Sequence, residues 1–369
     1  MNSVTPRLFV AATEQNDGKT TTALGLFSAL RKRFGRIGFI KPVGQRFIEI
    51  EGKRIDEDTF LIDETFRVDT PLEDMSPIAV EPDFTRRYIE HANSDFLVRR
   101  IQNSFDRASW EKEFCIIEGT GHAGVGSVFD LSNARVARLL ESKVLMVTGG
   151  GIGRPIDEIS LNKALFDSEG VEIVGVILNK VLPDKIEYIR DFARRGFERL
   201  GIELLGVIPV EPVLADPNLQ QVSEAVRGEF LNGRKSWRRR IRRTIIGAMS
   251  STNVIPHFTA GTLVVTPGDR EDVILAALSI SSIHDSAGHQ LAGLVLSGDL
   301  RPHAAVMDLI QRSSLPVITC PLDSYTVASR IHSMTVKTLP GDTEKIEKIQ
   351  ALVDRHVDID RLLAKLIPS

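Results

Sequence analysis

Short, nearly continuous runs of Val, Ile and Leu recur along this chain, separated by segments with helical periodicity. In the first part of the chain the strand candidates are Leu8 to Ala12, Ile37 to Ile40, Phe114 to Ile117, Val144 to Thr148, Ile173 to Leu178 and Leu204 to Ile208. Runs without polar alternation are buried on both faces, as in a parallel sheet with helices above and below. Lys19 to Phe34 reads as one such helix, with Ala23, Leu24, Leu26, Phe27, Leu30 and Phe34 on one face and Gly35 as its stop. The same grammar returns later: strand Thr262 to Thr266, helix Arg270 to about Ile280, strand Leu291 to Leu296, helix His303 to Arg312 and strand Pro316 to Thr319. An amphipathic C-terminal helix follows Pro340-Gly341. The expected fold class is therefore α/β in two domains, which a length of 369 residues accommodates.

Forty-six basic and 49 acidic side chains leave a formal charge of −3, so nothing in the overall balance points to nucleic acid or an anionic membrane as partner. No apolar run approaches the roughly 18–20 residues of a membrane helix. Met1 to Arg7 is too short and polar for a secretory signal, and two cysteines cannot make a disulfide scaffold. The chain reads as cytoplasmic, with Cys115 and Cys320 as small core residues.

The most chemically specific segment is Leu8 to Thr22, where a strand runs into a loop ending Gly18-Lys19-Thr20-Thr21 and opening a helix. Backbone N–H groups at such a helix start cradle phosphate, a lysine reaches the β and γ phosphates, and a hydroxyl ligates Mg²⁺. Thr13 stands where the usual P-loop has its first glycine. Three further polar residues end strands: Lys41 in Lys41-Pro42-Val43-Gly44, Glu118 in Glu118-Gly119-Thr120-Gly121, and Asn179 in Asn179-Lys180. Ligands of open parallel sheets bind at those ends. Singly, Lys41 reads equally as a snorkelling surface lysine, Glu118 as a helix cap and Asn179 as a turn former. Together they read as a site in which Glu118 suits Mg²⁺ and Asn179 an adenine edge.

With these pieces in place, the first 230 or so residues resemble the dethiobiotin synthetase family, P-loop proteins related to cobyrinic acid a,c-diamide synthase. The resemblance rests on the Thr-x-x-x-x-Gly-Lys-Thr loop, Lys-Pro-Val, Glu-Gly-x-Gly and the late Asn. It implies ATP and Mg²⁺ as cofactors and a P-loop NTPase-type sheet. Nucleotide contacts would come from Thr13, Asp17, Gly18, Lys19, Thr20, Thr21, Asn179 and Pro209, and metal contacts from Thr20, Asp58 and Glu118. Lys19 and Lys41 would be the reacting-centre lysines. Asp56 lies close enough in sequence to compete with Asp58 for its role. Gln45, His122 and Asp17 depart from the family pattern, so dethiobiotin ring closure is not expected.

Residues 245–355 resemble a DRTGG domain through "IGAMS", "GTLVVTPGDREDVILAAL", "AGLVLSGDLRP" and "LPVITCPLDSYTVASRI". The pairing resembles the N-terminal, non-catalytic part of long-form phosphotransacetylase, so acetyl transfer by this chain is not expected. The expected organisation is an ATP-binding domain at 1–230, a basic linker at 231–244, the DRTGG-like domain at 245–355 and a helical tail at 356–369. Seven of the ten residues from Arg234 to Arg243 are basic, which reads as a solvated helix or linker face, or else as a polyanion or partner-docking patch. Asp69 to Phe84 reads as an irregular insertion.

Two functions follow: a nucleotide-responsive regulatory protein, acting on its own second domain or on a protein partner, or an ATP-dependent carbon–nitrogen ligase. A homodimer through the DRTGG-like domain is expected, because too few local helices were legible to cover its strands.

Overall fold

The structure, a computed structural model, describes residues 2–283 and 290–367. It divides into two compact units, Met1–Glu211 with Thr338–Ser369, and Pro212–Lys337.

The first unit is built on six parallel strands in the order Leu204–Pro209, Ile173–Val181, Lys143–Gly149, Arg7–Ala12, Phe114–Glu118, Ile37–Ile40. All residues of the Arg7–Ala12 and Phe114–Glu118 strands are buried, as their unbroken apolar runs require. The chain goes from Arg7–Ala12 to one edge and later crosses to the other side. The loop after Arg7–Ala12 therefore lies where the strand order reverses, the place where such sheets leave a ligand crevice. The helix after that loop is Lys19–Arg31, ending three residues before the Phe34 expected.

Between Ile40 and Phe114 the chain makes a hairpin, Phe47–Ile50 with Lys53–Asp56, joined by a two-residue turn at Glu51-Gly52. Helix Glu57–Phe66 follows, with Asp56 as its N-cap accepting from the Asp58 N–H at 2.9 Å. The supposedly irregular stretch from Asp69 to Phe84 contains helix Leu72–Met75 and strand Ile78–Ala79.

The division into units differs from the one expected. Helices Thr343–His356 and Ile359–Leu366 belong to the first unit, not to the DRTGG-like domain or a tail. Thr343–His356 lies on Lys19–Arg31, and a Cβ at Gly25 would collide with the Val353 side chain. Glycine permits that close approach, so Ile349 and Val353 complete the core over the phosphate-loop helix. Pro368 and Ser369, at the end of the expected tail, lie outside the described residues. It follows that a chain ending at Lys337 should retain the second unit but destabilise the first. Urea unfolding of that truncation should show an early transition that belongs to the first unit. A truncated chain with unchanged unfolding would contradict it.

In the second unit a five-stranded sheet runs Glu229–Asn232, Val317–Thr319, Gly293–Ser297, Thr262–Pro267, Arg243–Ile246, parallel except for the first. The segment taken as a basic linker forms part of this unit. It holds a 3₁₀ turn at Arg234–Ser236, and the Arg239 guanidinium donates to Leu291 O at 3.0 Å. Alternate residues face opposite sides: Val264, Leu294 and Val317 pack under Glu271–Ile283 and Ala304–Arg312. Leu263, Val265 and Ile318 pack under Leu219–Val226 and Ser324–Ser333. Those last two helices were not legible in the sequence. They remove the ground for expecting a dimer, since the sheet is covered on both faces within one unit.

Cys115 and Cys320 are free and buried, and burial pushes the Cys115 thiol up to about 12. Among the described residues no helix is long and apolar enough to cross a membrane.

Candidate functional site

Sheet register brings the polar strand ends together. Ile40 lies opposite Ile117, and Val10 opposite Glu118, so Lys41, Glu118 and the start of the phosphate loop share one edge of the sheet. Gly149 lies opposite Asn179, and Pro209 opposite Val181, which sets Asn179 and Pro209 on the same edge further along.

The loop leaves the strand at Thr13, whose N–H donates to Val147 O at 3.0 Å. Left-handed backbone at Asn16 (φ 69°) and Gly18 (φ 97°) turns the chain into the helix. Gly18 is required twice over, because a Cβ there would also strike the Asn179 amide. No side chain caps this helix, so the N–H groups of its first turn remain open to an anion. Thr21 lies in that first turn, beside Thr20.

Asp17, which departs from the family pattern, organises the loop: its Oδ2 accepts from the Thr13 hydroxyl and the Glu14 N–H, each at 2.8 Å. Burial raises its pKa against those hydrogen bonds. Asn179 is buried, and its amide donates to Asp17 O at 2.8 Å while Oδ1 accepts from the Lys180 N–H at 2.9 Å. In this structure Asn179 thus braces the loop. Gln45 is exposed and accepts from the Gln15 side chain at 3.3 Å. His122 accepts from the Gly124 N–H at 3.2 Å, and its own carbonyl is held by Asn133 Nδ2 at 2.6 Å.

Below the loop lies a buried ion cluster. Lys41, 6% exposed, meets Asp58, with Asp56 Oδ1 at 3.2 Å and Glu118 Oε1 at 3.4 Å. Burial works against its charge, but Asp58, Asp56 and Glu118 outweigh that and hold its pKa well above the usual lysine value. Asp58 and Asp56 both belong to the cluster, the hairpin having carried them back to the sheet.

Glu118 is 1% exposed, and its Oε1 also accepts from the Thr20 hydroxyl at 2.8 Å. Its Oε2 is buried with no hydrogen-bond partner. Burial raises the Glu118 pKa to about 7, with Lys41 opposing and Asp58 reinforcing the shift. Three carboxylates gather around the Lys41 ammonium, and one carboxylate oxygen among them, Glu118 Oε2, is orphaned. That orphaned oxygen fits a divalent cation. Among the described residues no three His, Cys, Asp or Glu side chains are arranged to hold a metal by themselves. That suits Mg²⁺, which binds through one or two carboxylates and completes its shell with phosphate and water. Lys19 Nζ, nearby, donates to Glu14 O at 3.2 Å, and burial lowers its pKa to about 8 against the pull of Glu118.

Sequence reasoning missed Asn133, Arg154 and Glu158. Asn133 accepts from the Thr120 N–H at 3.0 Å and fixes the loop after Glu118, although nothing in its local sequence marks it. A cavity of about 920 Å³ lies under the hairpin, walled by Ile55, Ile78, Phe84, Tyr88 and Leu97. No phosphate-loop or ion-cluster side chain lines it.

Residues 6–218 match the family model described as an AAA domain. The chain belongs to that family. Beyond the AAA domain, residues 221–334 match a DRTGG domain. The chain is 30% identical over 363 residues to a phosphate acetyltransferase of Pseudomonas putida KT2440, covering 95% of this chain and 50% of that protein. To the Pseudomonas aeruginosa PAO1 phosphate acetyltransferase it is 28% identical over 372 residues, covering 96% of this chain and 51% of that protein. The chain thus spans about half the length of the curated relatives it matches, and the expected kinship with long-form phosphotransacetylase is borne out. Among solved structures, the MinC:MinD cell division complex of Aquifex aeolicus is similar at 17% identity and a TM-score of 0.37, covering 57% of this chain and 83% of that one.

The ionisations of the AAA domain site predict a pH profile. A carboxyl whose folded pKa lies above its unfolded value of about 4.3 adds stability below that value and loses it as pH rises through the folded pKa. Glu118 should therefore cost the nucleotide-free protein stability between about 4.3 and about 7. Cation binding needs the ionised form, so Mg²⁺-dependent affinity should rise over the same window. Above about 8 Lys19 loses its charge. If the site takes nucleotide with Mg²⁺, affinity should rise as Glu118 ionises and fall as Lys19 loses its proton, and a flat pH profile would contradict these assignments.

Proposed function

We propose that the protein binds ATP–Mg²⁺ and serves as a nucleotide-responsive regulatory module of the phosphate acetyltransferase kind. The observation that carries this is the uncapped helix start at Lys19 set against the orphaned Glu118 oxygen and Thr20. In this reading the first-turn N–H groups and Lys19 take the phosphates, with Gly18, Thr20 and Thr21 close to them. Thr20, Glu118 and Asp58 face the Mg²⁺, and the ion supplies charge neutralisation between the phosphates and the cluster. Asn179 and Pro209 lie towards the adenine side. Thr13 and Asp17 shape the loop.

Regulation is favoured over carbon–nitrogen ligation because Lys41 is engaged by three carboxylates, so its charge is already balanced within the protein. The experiment is calorimetric titration with ATP and Mg²⁺, paired with a phosphate-release assay. Mg²⁺-dependent binding with little phosphate release is expected. ATP-dependent ring closure of diaminopelargonate with bicarbonate would reassign the protein to the ligases, and absence of nucleotide binding would end both readings.

A further inference from the structure

We infer that Glu158 is a positioning residue of the nucleotide site, holding the first turn of the phosphate loop through the Thr13 hydroxyl. The inference rests on the nucleotide-binding reading above and adds a role for a residue outside the loop and the ion cluster.

Thr13 is 2% exposed and stands where the usual loop has glycine. Its hydroxyl lies 3.0 Å from Glu158 Oε2 and 2.8 Å from Asp17 Oδ2, so its one proton is shared between the two carboxylates, while the Thr148 hydroxyl, at 2.9 Å, can donate to its oxygen. A glycine would leave these groups facing one another with no hydroxyl between them. The threonine turns the same place into a fixed joint between loop, neighbouring strand and the next helix.

Glu158 belongs to that helix, Gly153–Ser168, and is held there by its own contacts. Its Oε1 accepts from the Arg154 guanidinium, which also donates to Glu14 Oε2 at 2.8 Å. Glu14 in turn offers its carbonyl to Lys19. The contacts thus run from Glu158 to Thr13 directly, and through Arg154 and Glu14 to Lys19. One turn further along, Asn162 accepts from the Ala123 N–H at 2.8 Å and so steadies the loop that follows Glu118. Ile159 and Phe166, both fully buried, anchor the helix to the core. A single packed helix therefore braces both halves of the site, which is the kind of support that keeps a binding loop preorganised.

The test is a double-mutant cycle on the full chain, read as ATP–Mg²⁺ affinity by calorimetry. Glu158→Ala and Thr13→Val should each weaken binding on the order of tenfold, the scale of losing a hydrogen bond to a charged group. If they act through one joint, the double variant should be little weaker than either single one. Glu158→Gln keeps an acceptor for the hydroxyl and should recover affinity to within about threefold of the parent. A purely structural role would instead show in the unfolding midpoint, with the affinity of the folded protein unchanged. If the parent protein binds ATP–Mg²⁺ and the single losses are absent or simply additive, the inference is overturned. If the parent binds no nucleotide, the underlying reading fails and takes this one with it.

Discussion

Titration of Lys19→Ala with ATP and Mg²⁺ should show affinity roughly a hundredfold or more below that of the parent, with the fold intact. Lys19 is the cation at the uncapped helix start, and a charge-assisted contact to phosphate is among the strongest single interactions available there. A hundredfold is about 2.7 kcal/mol, within the range of one such contact. Stability should hardly suffer. Burial already lowers the Lys19 pKa to about 8, so without phosphate its charge is kept at a cost. Its sole hydrogen bond among the described residues is to the Glu14 carbonyl, which can turn to water. Unchanged affinity in a folded Lys19→Ala protein would remove the phosphate loop from the site.

The effect at Lys41 should be the reverse: a large loss of stability. Lys41→Met would leave Asp56, Asp58 and Glu118 facing one another in a buried space without their ammonium. Removing one partner of a buried ionic network costs about 3–5 kcal/mol, because the remaining charges stay desolvated and uncompensated. The first unit should unfold at markedly lower urea concentration near pH 7.5, while the second unit keeps its own transition. Two secondary results check the cause. Adding Asp58→Asn should restore part of the loss by removing one of the stranded charges. Lowering the pH should narrow the gap to the parent as the carboxyls take up protons. A loss under about 1 kcal/mol, or no relief from Asp58→Asn, would mean that the cluster is not the ionic network its geometry describes.

The sequence by itself determined the elements whose causes are local. Unbroken runs such as Phe114-Cys115-Ile116-Ile117 read as strands buried on both faces, and they are. The Gly18-Lys19-Thr20 turn after Leu8 to Ala12 marked the phosphate loop, because a strand, a glycine turn and a helix start are each specified by a few neighbouring residues. Polar residues placed directly after apolar runs likewise announced Lys41, Glu118 and Asn179.

What lay beyond reach depended on pairings far apart in the chain. Only the sheet register sets Lys41 beside Glu118, 77 residues away, and only the hairpin returns both Asp56 and Asp58 to that lysine. The Thr13–Glu158 contact spans 145 residues. The C-terminal helix has an apolar face that any hydrophobic surface would satisfy, so its pattern did not say which unit it covers. The choice fell to the first unit because Gly25 opens a place on the Lys19–Arg31 helix into which Val353 fits. Periodicity reports that a face must be buried, whereas the partner that buries it is decided by shape, and shape exists only once the chain has folded.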